Sequence, residues 1–386
     1  MPFCAYLSRN FAFVHGFAHA VAFAFVHGFV HDFAFIFSLE NLSVARSSGY
    51  LDHRRSKLNN LVGYTTRSKF SNKLGTMGIR SYSTNYTSSL HPQFITGISD
   101  AESSFFITFL KSNKSLTGYY IQLSFQISLH NNDRFLLELI KSFFGVGNIQ
   151  PKKKRDMVLY QVTSIKDLAV IISHFNKYPL ITKKRADFEL FQLAFKLVNR
   201  KEHLNTKGFT EILSIKAVLN NGLSTQLETA FPNIIPYLRP EVLTHPIKEP
   251  QWVAGFTEGE GCFNVSVRKS NSTKSGVQVI LRYKITQHVR DSVLVSNFIE
   301  YFGCGNFTVR PNNTACDFIV SNFSDICKVI IPFFDKYPLF GVKAKNYADF
   351  KKVVEIMRVK GHLTDSGLEE INRIKAGMNS FRDKKD

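Results

Sequence analysis

Disulfide chemistry is the first thing this chain lacks the means for. Its five cysteines, Cys4, Cys262, Cys304, Cys316 and Cys327, are an odd number and form no Cys-x-x-Cys pair. That excludes a disulfide framework and a cysteine zinc site, and it fits a reducing compartment. Acid is the second scarcity. Asp and Glu number 30 against 49 Lys and Arg, a formal charge of +19. Such an excess of base points to a polyanion, nucleic acid or an anionic membrane surface, ahead of a merely solvated basic face. A phosphate-cradling loop is missing too, since Gly145-Val-Gly and Gly303-Cys-Gly are short and lack the following Lys-Ser/Thr. No aromatic signature of an RNA-stacking sheet is visible. Nor is there an apolar run fit to span a bilayer: residues 11–39 are long enough but carry four histidines, Asp32, Gly16 and Gly28. No stable membrane association is expected.

Those residues belong to a region unlike the rest. Phe11-Ala-Phe-Val-His-Gly-Phe-Ala-His returns as Phe23-Ala-Phe-Val-His-Gly-Phe-Val-His, a tandem repeat rich in Phe and His. His15/His19 and His27/His31 have the spacing of helical metal ligands, but no carboxylate or cysteine supports them, so low complexity is the better reading. From 43 to 90 the chain turns hydroxyl-rich and basic with Asp52 its one acid, the composition of a mitochondrial transit segment, and Arg80-Ser-Tyr-Ser-Thr resembles a matrix-peptidase site. Residues 1–90 are therefore expected to be a non-catalytic, targeting-like extension, and the chain to be mitochondrial.

Beyond residue 90 the chain repeats itself. Ile95-Thr-Gly-Ile-Ser-Asp-Ala-Glu-Ser reads against Val253-Ala-Gly-Phe-Thr-Glu-Gly-Glu-Gly. Glu102 and Glu260 lie 158 positions apart, as do Gly97 and Gly255, Phe105 and Phe263, His130 and His288, and Asp133 and Asp291. The same offset aligns Gly145-Val-Gly-Asn with Gly303-Cys-Gly-Asn. Further along the offset is 159, matching Lys177-Tyr-Pro-Leu with Lys336-Tyr-Pro-Leu and His203 with His362. An ordered match over about 130 residues means two copies of one fold, which can bring duplicated carboxylates together at a pseudo-twofold axis.

Each copy opens with a helix, over 94–103 and 252–261. Gly97 and Ala101, and Gly255 and Gly259, put small residues four apart on one face, which lets two helix backbones pack closely. Strands follow. Tyr120, Gln122, Ser124, Gln126 and Ser128 alternate with Ile121, Leu123, Phe125, Ile127 and Leu129; Gln278, Arg282, Lys284 and Thr286 alternate with Val279, Leu281, Tyr283 and Ile285. Period two of this quality gives a sheet with one buried and one wet face. The wet face carries amides, hydroxyls and cations, the groups that read base edges in a major groove. With Ser104 and Thr108 on the preceding strand of the first copy, and Asn264, Ser266 and Arg268 in the second, these are the candidate DNA contacts. Lys152 and Lys154 add phosphate contacts. Amphipathic helices over 133–144 and 291–302 then lead, through the Gly-x-Gly-Asn turns, to two more strands and a set of helices. The proline-rich stretch 231–250 reads as a connector between the copies.

The chemistry falls to Glu102 and Glu260, at the ends of their helices. Two carboxylates held close repel unless a cation neutralises them, and hard carboxylate and phosphate oxygens make a magnesium environment. Lys184 and Lys343, just past each Tyr-Pro-Leu, are the candidates to offset charge at a scissile phosphate, with Lys183 a competitor that has no partner in the second copy. Asp100 and Glu258 read as surface or supporting acids, and His130 and His288 as helix caps.

Both nine-residue motifs, both Gly-x-Gly-Asn turns and both Tyr-Pro-Leu segments together resemble a single-chain, two-motif LAGLIDADG homing endonuclease of the kind encoded in fungal mitochondrial introns. The resemblance covers residues 92–380, about three quarters of the chain. It implies an α+β fold of two pseudo-twofold-related αββαββα units with antiparallel saddle-shaped sheets, packed through their motif helices: 91–225 and 251–386, joined by 226–250. It implies a monomer that cuts a double-stranded DNA target with Mg²⁺ or Mn²⁺, leaving 3′ overhangs. The metal would sit on Glu102 and Glu260 with the carbonyls of Ala101 and Gly259. Ser103 departs from the family pattern, where glycine is usual. The alternative within the family is a maturase that binds group I intron RNA and assists its splicing.

Overall fold

Two helices that end on their carboxylates, α1 (Pro92–Glu102) and α7 (Pro250–Glu260), open the halves of the fold. The structure, a computed structural model, describes residues 90–152, 156–271 and 276–379. The Phe/His repeat, the transit-like segment and Lys154 lie outside the described residues. Proline in the first turn suits both helices, because the N–H it removes would be unpaired there anyway. Both then pass straight into a strand, as Ser103 and Gly261 take extended backbone.

The first half continues with β1 (Ser103–Lys111), β2 (Tyr119–His130), α2 (Arg134–Phe144), β3 (Asn148–Lys152), β4 (Met157–Val162), α3 (Ile165–Lys177), α4 (Lys184–Asn199), α5 (Thr206–Val218) and a short α6 (Thr225–Ala230). The second half has β5 (Gly261–Lys269), β6 (Val277–His288), α8 (Ser292–Phe302), β7 (Asn306–Val309), β8 (Ala315–Val320), α9 (Ile331–Lys336), α10 (Val342–Arg358) and α11 (Asp365–Lys375). The sheets are antiparallel, with order β1-β2-β4-β3 and β5-β6-β8-β7. Glycine ends α2 and α8, with Gly145 at φ 68° and Gly303 at φ 66°, the left-handed backbone that closes a helix.

The step in offset from 158 to 159 has a structural cause. Helix α3 runs unbroken from its cap at Ser164 to Lys177. Its counterpart starts at Asn322 and ends at Lys336, and inside it Ile326–Ile330 form a π turn between Phe323–Asp325 and α9. A π turn is how a helix absorbs one inserted residue without rotating its ends.

The buried faces of the sheets pack on helices through matching aromatic clusters. Phe105 meets Phe125, Phe175, Phe188 and Phe191 with ring centroids 5.3–5.8 Å apart. Phe263 meets Tyr283, Phe334, Tyr347 and Phe350 at 5.2–5.4 Å. Every residue of the second cluster is the offset counterpart of one in the first.

The halves join where α1 crosses α7. A methyl group on Gly97 would overlap the Trp252 carbonyl, and one on Gly255 would overlap the Phe94 carbonyl, so the two backbones touch. Reciprocal bonds reinforce the crossing. Lys183 N donates to Asp291 Oδ1 at 2.7 Å, and Val342 N donates to Asp133 Oδ1 at 2.6 Å, so each half supplies an acid to the start of a helix in the other. The chain between them is pinned: Tyr237 N donates to Ser214 O at 3.0 Å, and Arg239 Nη1 to Asp187 Oδ1 at 2.9 Å and Val218 O at 2.7 Å. Among the described residues no helix is long and apolar enough to cross a membrane.

Candidate active site

The crossing that joins the halves also brings their carboxylates together. Gly259 packs on α1 so closely that a methyl there would overlap Ala101 Cβ and lie 3.1 Å from Glu102 Oε1. Glu102 and Glu260 thus end adjoining helices, beside a cleft of about 810 Å³ also lined by Ser104, Lys184, Asn220, Gln287 and Arg290. Burial raises the Glu102 carboxyl above its ordinary range, against the opposing charges of Lys343 and Lys184. Burial, and then the charge of Glu102, push Glu260 up to about 7. Gln287 Nε2 donates to Glu260 Oε1 at 3.1 Å.

The two lysines approach from either side. Lys184 Nζ donates to Ser99 O at 3.0 Å and Ala101 O at 3.1 Å; Lys343 Nζ donates to Glu258 O at 2.6 Å and Gly259 O at 2.7 Å. Each ammonium meets the open carbonyls at the C-terminus of a motif helix, where partial negative charge collects. Burial brings Lys184 down to about 8 although Asp100, Glu102 and Glu260 pull the other way. Lys183 also borders the cleft, but its Nζ donates to Val242 O at 2.7 Å and not to a motif-helix carbonyl.

Asp100 and Glu258 are not surface acids; they are 1% and 7% exposed. Asp100 accepts from Ile181 N, Thr182 N and Oγ1, and Trp252 Nε1 at 2.6–3.2 Å. Glu258 accepts from Phe340 N and, at 2.8 Å, Gly341 N. Burial raises both carboxyls. Their role is to fix the loops after Tyr-Pro-Leu, and so to aim Lys184 and Lys343. His130 and His288 are caps as expected, Nδ1 accepting from Asn132 N at 3.3 Å and Arg290 N at 3.1 Å.

The wet faces lie on the sheet side away from the aromatic clusters. Thr108 pairs with Gln122 and Ser104 with Gln126 across β1 and β2; Asn264 pairs with Arg282 and Arg268 with Gln278 across β5 and β6. Tyr120, Gln278 and Arg268 are exposed, and Gln122, Gln126, Ser128, Ser266, Arg282, Lys284 and Thr286 partly so. One candidate fails. Ser124 is 3% exposed and accepts from Gln126 Nε2 at 3.1 Å, because the longer Gln126 folds over it. Lys152 Nζ donates to Ser128 Oγ at 3.0 Å.

A family profile described as LAGLIDADG endonuclease matches residues 95–195 and 253–354, more than half of the chain and both halves of this fold. The chain belongs to the LAGLIDADG endonuclease family. It is 38% identical over 290 residues to probable intron-encoded endonuclease 3 of Neurospora crassa, covering 75% of this chain and 54% of that protein. The chain thus spans about half the length of that curated relative. The crystal structure of the LAGLIDADG homing endonuclease I-SmaMI bound to cleaved DNA is similar at TM-score 0.74 and 41% identity, over 76% of this chain and 98% of that one. That of I-LtrWI bound to target DNA is similar at TM-score 0.73 and 42% identity, over 75% and 98%.

Within the LAGLIDADG frame, Ser103 is compensated. It is 2% exposed and its Oγ donates to Ser99 O at 2.7 Å, pointing into the helix end. In the second half a methyl on Gly261 would overlap Thr257 Cγ2. The smaller Ser99 leaves the room that Thr257 fills. Reading by strand alternation missed Arg310 and Asp317, although the 158 offset carries Lys152 onto Arg310. It also missed the exposed Phe106 and Leu110, which share the wet face of β1 with Thr108.

Proposed function

We propose that this LAGLIDADG protein is a site-specific double-strand DNA endonuclease of the intron-homing kind, acting as a monomer in the mitochondrion. The observation that carries the reading is the pair Glu102 and Glu260 at adjoining helix ends, with a sheet face free of helices in each half, basic in the second. On this reading 91–225 and 251–386 each bind one half-site, and 226–250 spans between them.

Mg²⁺ or Mn²⁺ fits the residues present. Among the described residues no three His, Cys, Asp or Glu side chains converge, so the protein supplies two carboxylates and hard carbonyl oxygens, and phosphate or water would complete the set. Glu102 and Glu260 would hold the ion, with the carbonyls of Ala101 and Gly259 beside them. Both carboxyls are raised by burial, a cost that a bound cation relieves. When bound, the metal supplies an activated water and stabilises the leaving 3′ oxygen. Lys184 and Lys343 place positive charge where the phosphorane develops it. The wet sheet faces orient the duplex, so that phosphates of both strands reach the carboxylate pair and the cut leaves 3′ overhangs.

Incubation of the chain with a randomised duplex library and Mg²⁺ tests this. A small set of related sites should be cut with 3′ overhangs, and chelation should abolish the cutting. Binding of group I intron RNA without cleavage of any duplex would favour the maturase reading instead.

A further inference from the structure

The wet face of the second sheet contains one acid, and three polar groups converge on it. Asp317, on β8, is 8% exposed. Arg310 Nε donates to its Oδ2 and Arg310 Nη2 to its Oδ1, both at 3.0 Å. Thr286 Oγ1 donates to Oδ1 at 2.6 Å, and Lys284 Nζ lies 3.7 Å from the same oxygen. The register places Asp317 between Thr286 on β6 and Thr308 on β7. Burial works to raise this carboxyl, but the bonds from Arg310 and Thr286 and the neighbouring cations hold it below its ordinary value.

The first half has the same frame without the acid. Leu159 occupies the equivalent place between Ser128 and Gln150, and is 5% exposed. Lys152 stands where Arg310 does, bonded to Ser128 alone among the equivalent groups.

We propose that Asp317 is a positioning residue for base recognition in one half-site. This rests on the endonuclease reading above. Asp317 engages the Nε–Nη2 edge of the Arg310 guanidinium and leaves Nη1 to donate to a base edge such as guanine O6 or N7. Lys284 and Thr286 are drawn to the same oxygen, so two cationic donors and a hydroxyl that still offers its lone pairs are ordered before DNA arrives. The carboxylate also makes this spot a poor phosphate site, since a second anion would face it directly. Cations here are thereby directed to base edges, whereas Lys152, with no acid beside it, is suited to the backbone.

The test is a cleavage profile over a library varying every position of the target, with kcat and KM on the best target, for wild type, R310A, D317N, D317L and R310A/D317L. Asp317→Leu installs the first-half side chain. It should lose discrimination by roughly 10-fold or more at the base pairs that R310A relaxes. The other half-site and kcat should be unchanged, and KM should rise. D317N should show a smaller loss at the same positions, and it carries the test if melting curves show D317L misfolded. R310A/D317L should be no less specific than R310A at those positions. A wild-type profile in both Asp317 variants, a loss spread evenly over both half-sites, or a fall in kcat with KM unchanged would overturn the assignment. Wild-type chain that neither binds nor cuts duplex would instead defeat the endonuclease reading, and Asp317's role with it.

Discussion

Ser99 and Ser103 occupy in the first half the places that Thr257 and Gly261 occupy in the second, and Asp100 with Thr182 stands where Glu258 with Gly341 does. Each exchange is a matched pair. Thr257 fills the space that a side chain on residue 261 would need. Glu258 reaches one carbon further than Asp100, and a methyl on Gly341 would lie 2.9 Å from Glu258 Oε2. The local volume is kept while its division between neighbours changes, as a close-packed interior requires. On the wet faces no such matching occurs. Phe106, Leu110 and Tyr120 in the first half correspond to Asn264, Arg268 and Gln278 in the second. Those side chains are exposed or partly exposed, so packing constrains them less. The contrast separates positions answering to the fold from positions the fold leaves free: apolar and aromatic groups on the first sheet, polar donors on the second.

The sharpest way to break the equivalence of the halves is at the carboxylates. Glu102→Gln and Glu260→Gln should each reduce cleavage by about 100- to 1000-fold or more while duplex binding in gel shifts stays near wild type. Full cleavage by either variant would leave the two acids unequal and remove that one from the chemistry. At the helix crossing, Gly97→Ala and Gly255→Ala should each destabilise the protein by about 3 kcal/mol or more in denaturant unfolding, because the added methyl meets backbone and not a movable side chain. A tolerated substitution at one position only would show that the crossing is not symmetric. The reciprocal caps come next. Asp133→Asn and Asp291→Asn should each cost about 1 kcal/mol, with Asp291, the more buried of the two, losing more. Between the reading faces, Lys152→Ala should weaken binding by less than about tenfold and evenly over all targets, with a shallower salt dependence. A loss confined to particular base pairs would make Lys152 a base reader. Smallest of all, a chain beginning near Ser89 should bind and cut like the full chain and be more soluble. Loss of cleavage in a truncated protein that melts cooperatively would give the first ninety residues a part in the site.

Much of this was legible from local pattern. Period two along 120–129 and 277–286 gave both sheets their buried and wet faces, and small residues four apart in two motif copies gave the helix crossing. The constant offset gave the duplication and with it the carboxylate pair. These features repeat over two to four residues, or over the whole unit, so a linear reading captures them. What stayed hidden depends on residues far apart in the chain. Whether Asp100 and Glu258 were surface or supporting acids stayed open because their partners, Ile181, Thr182, Phe340 and Gly341, lie more than eighty positions away. Whether Lys183 or Lys184 meets the end of the motif helix was decided by Val242 and Asp291, which hold Lys183 from the connector and from the other half. Asp317 was invisible to alternation on β6 because it comes from the neighbouring strand, and its charge is tolerated only where Arg310, Thr286 and Lys284 meet it. The sequence by itself determined which faces are buried and which acids are paired, since burial of apolar surface follows periodicity. Only the tertiary structure decided which polar groups neutralise one another, because a buried charge is stable only beside partners that folding brings from elsewhere.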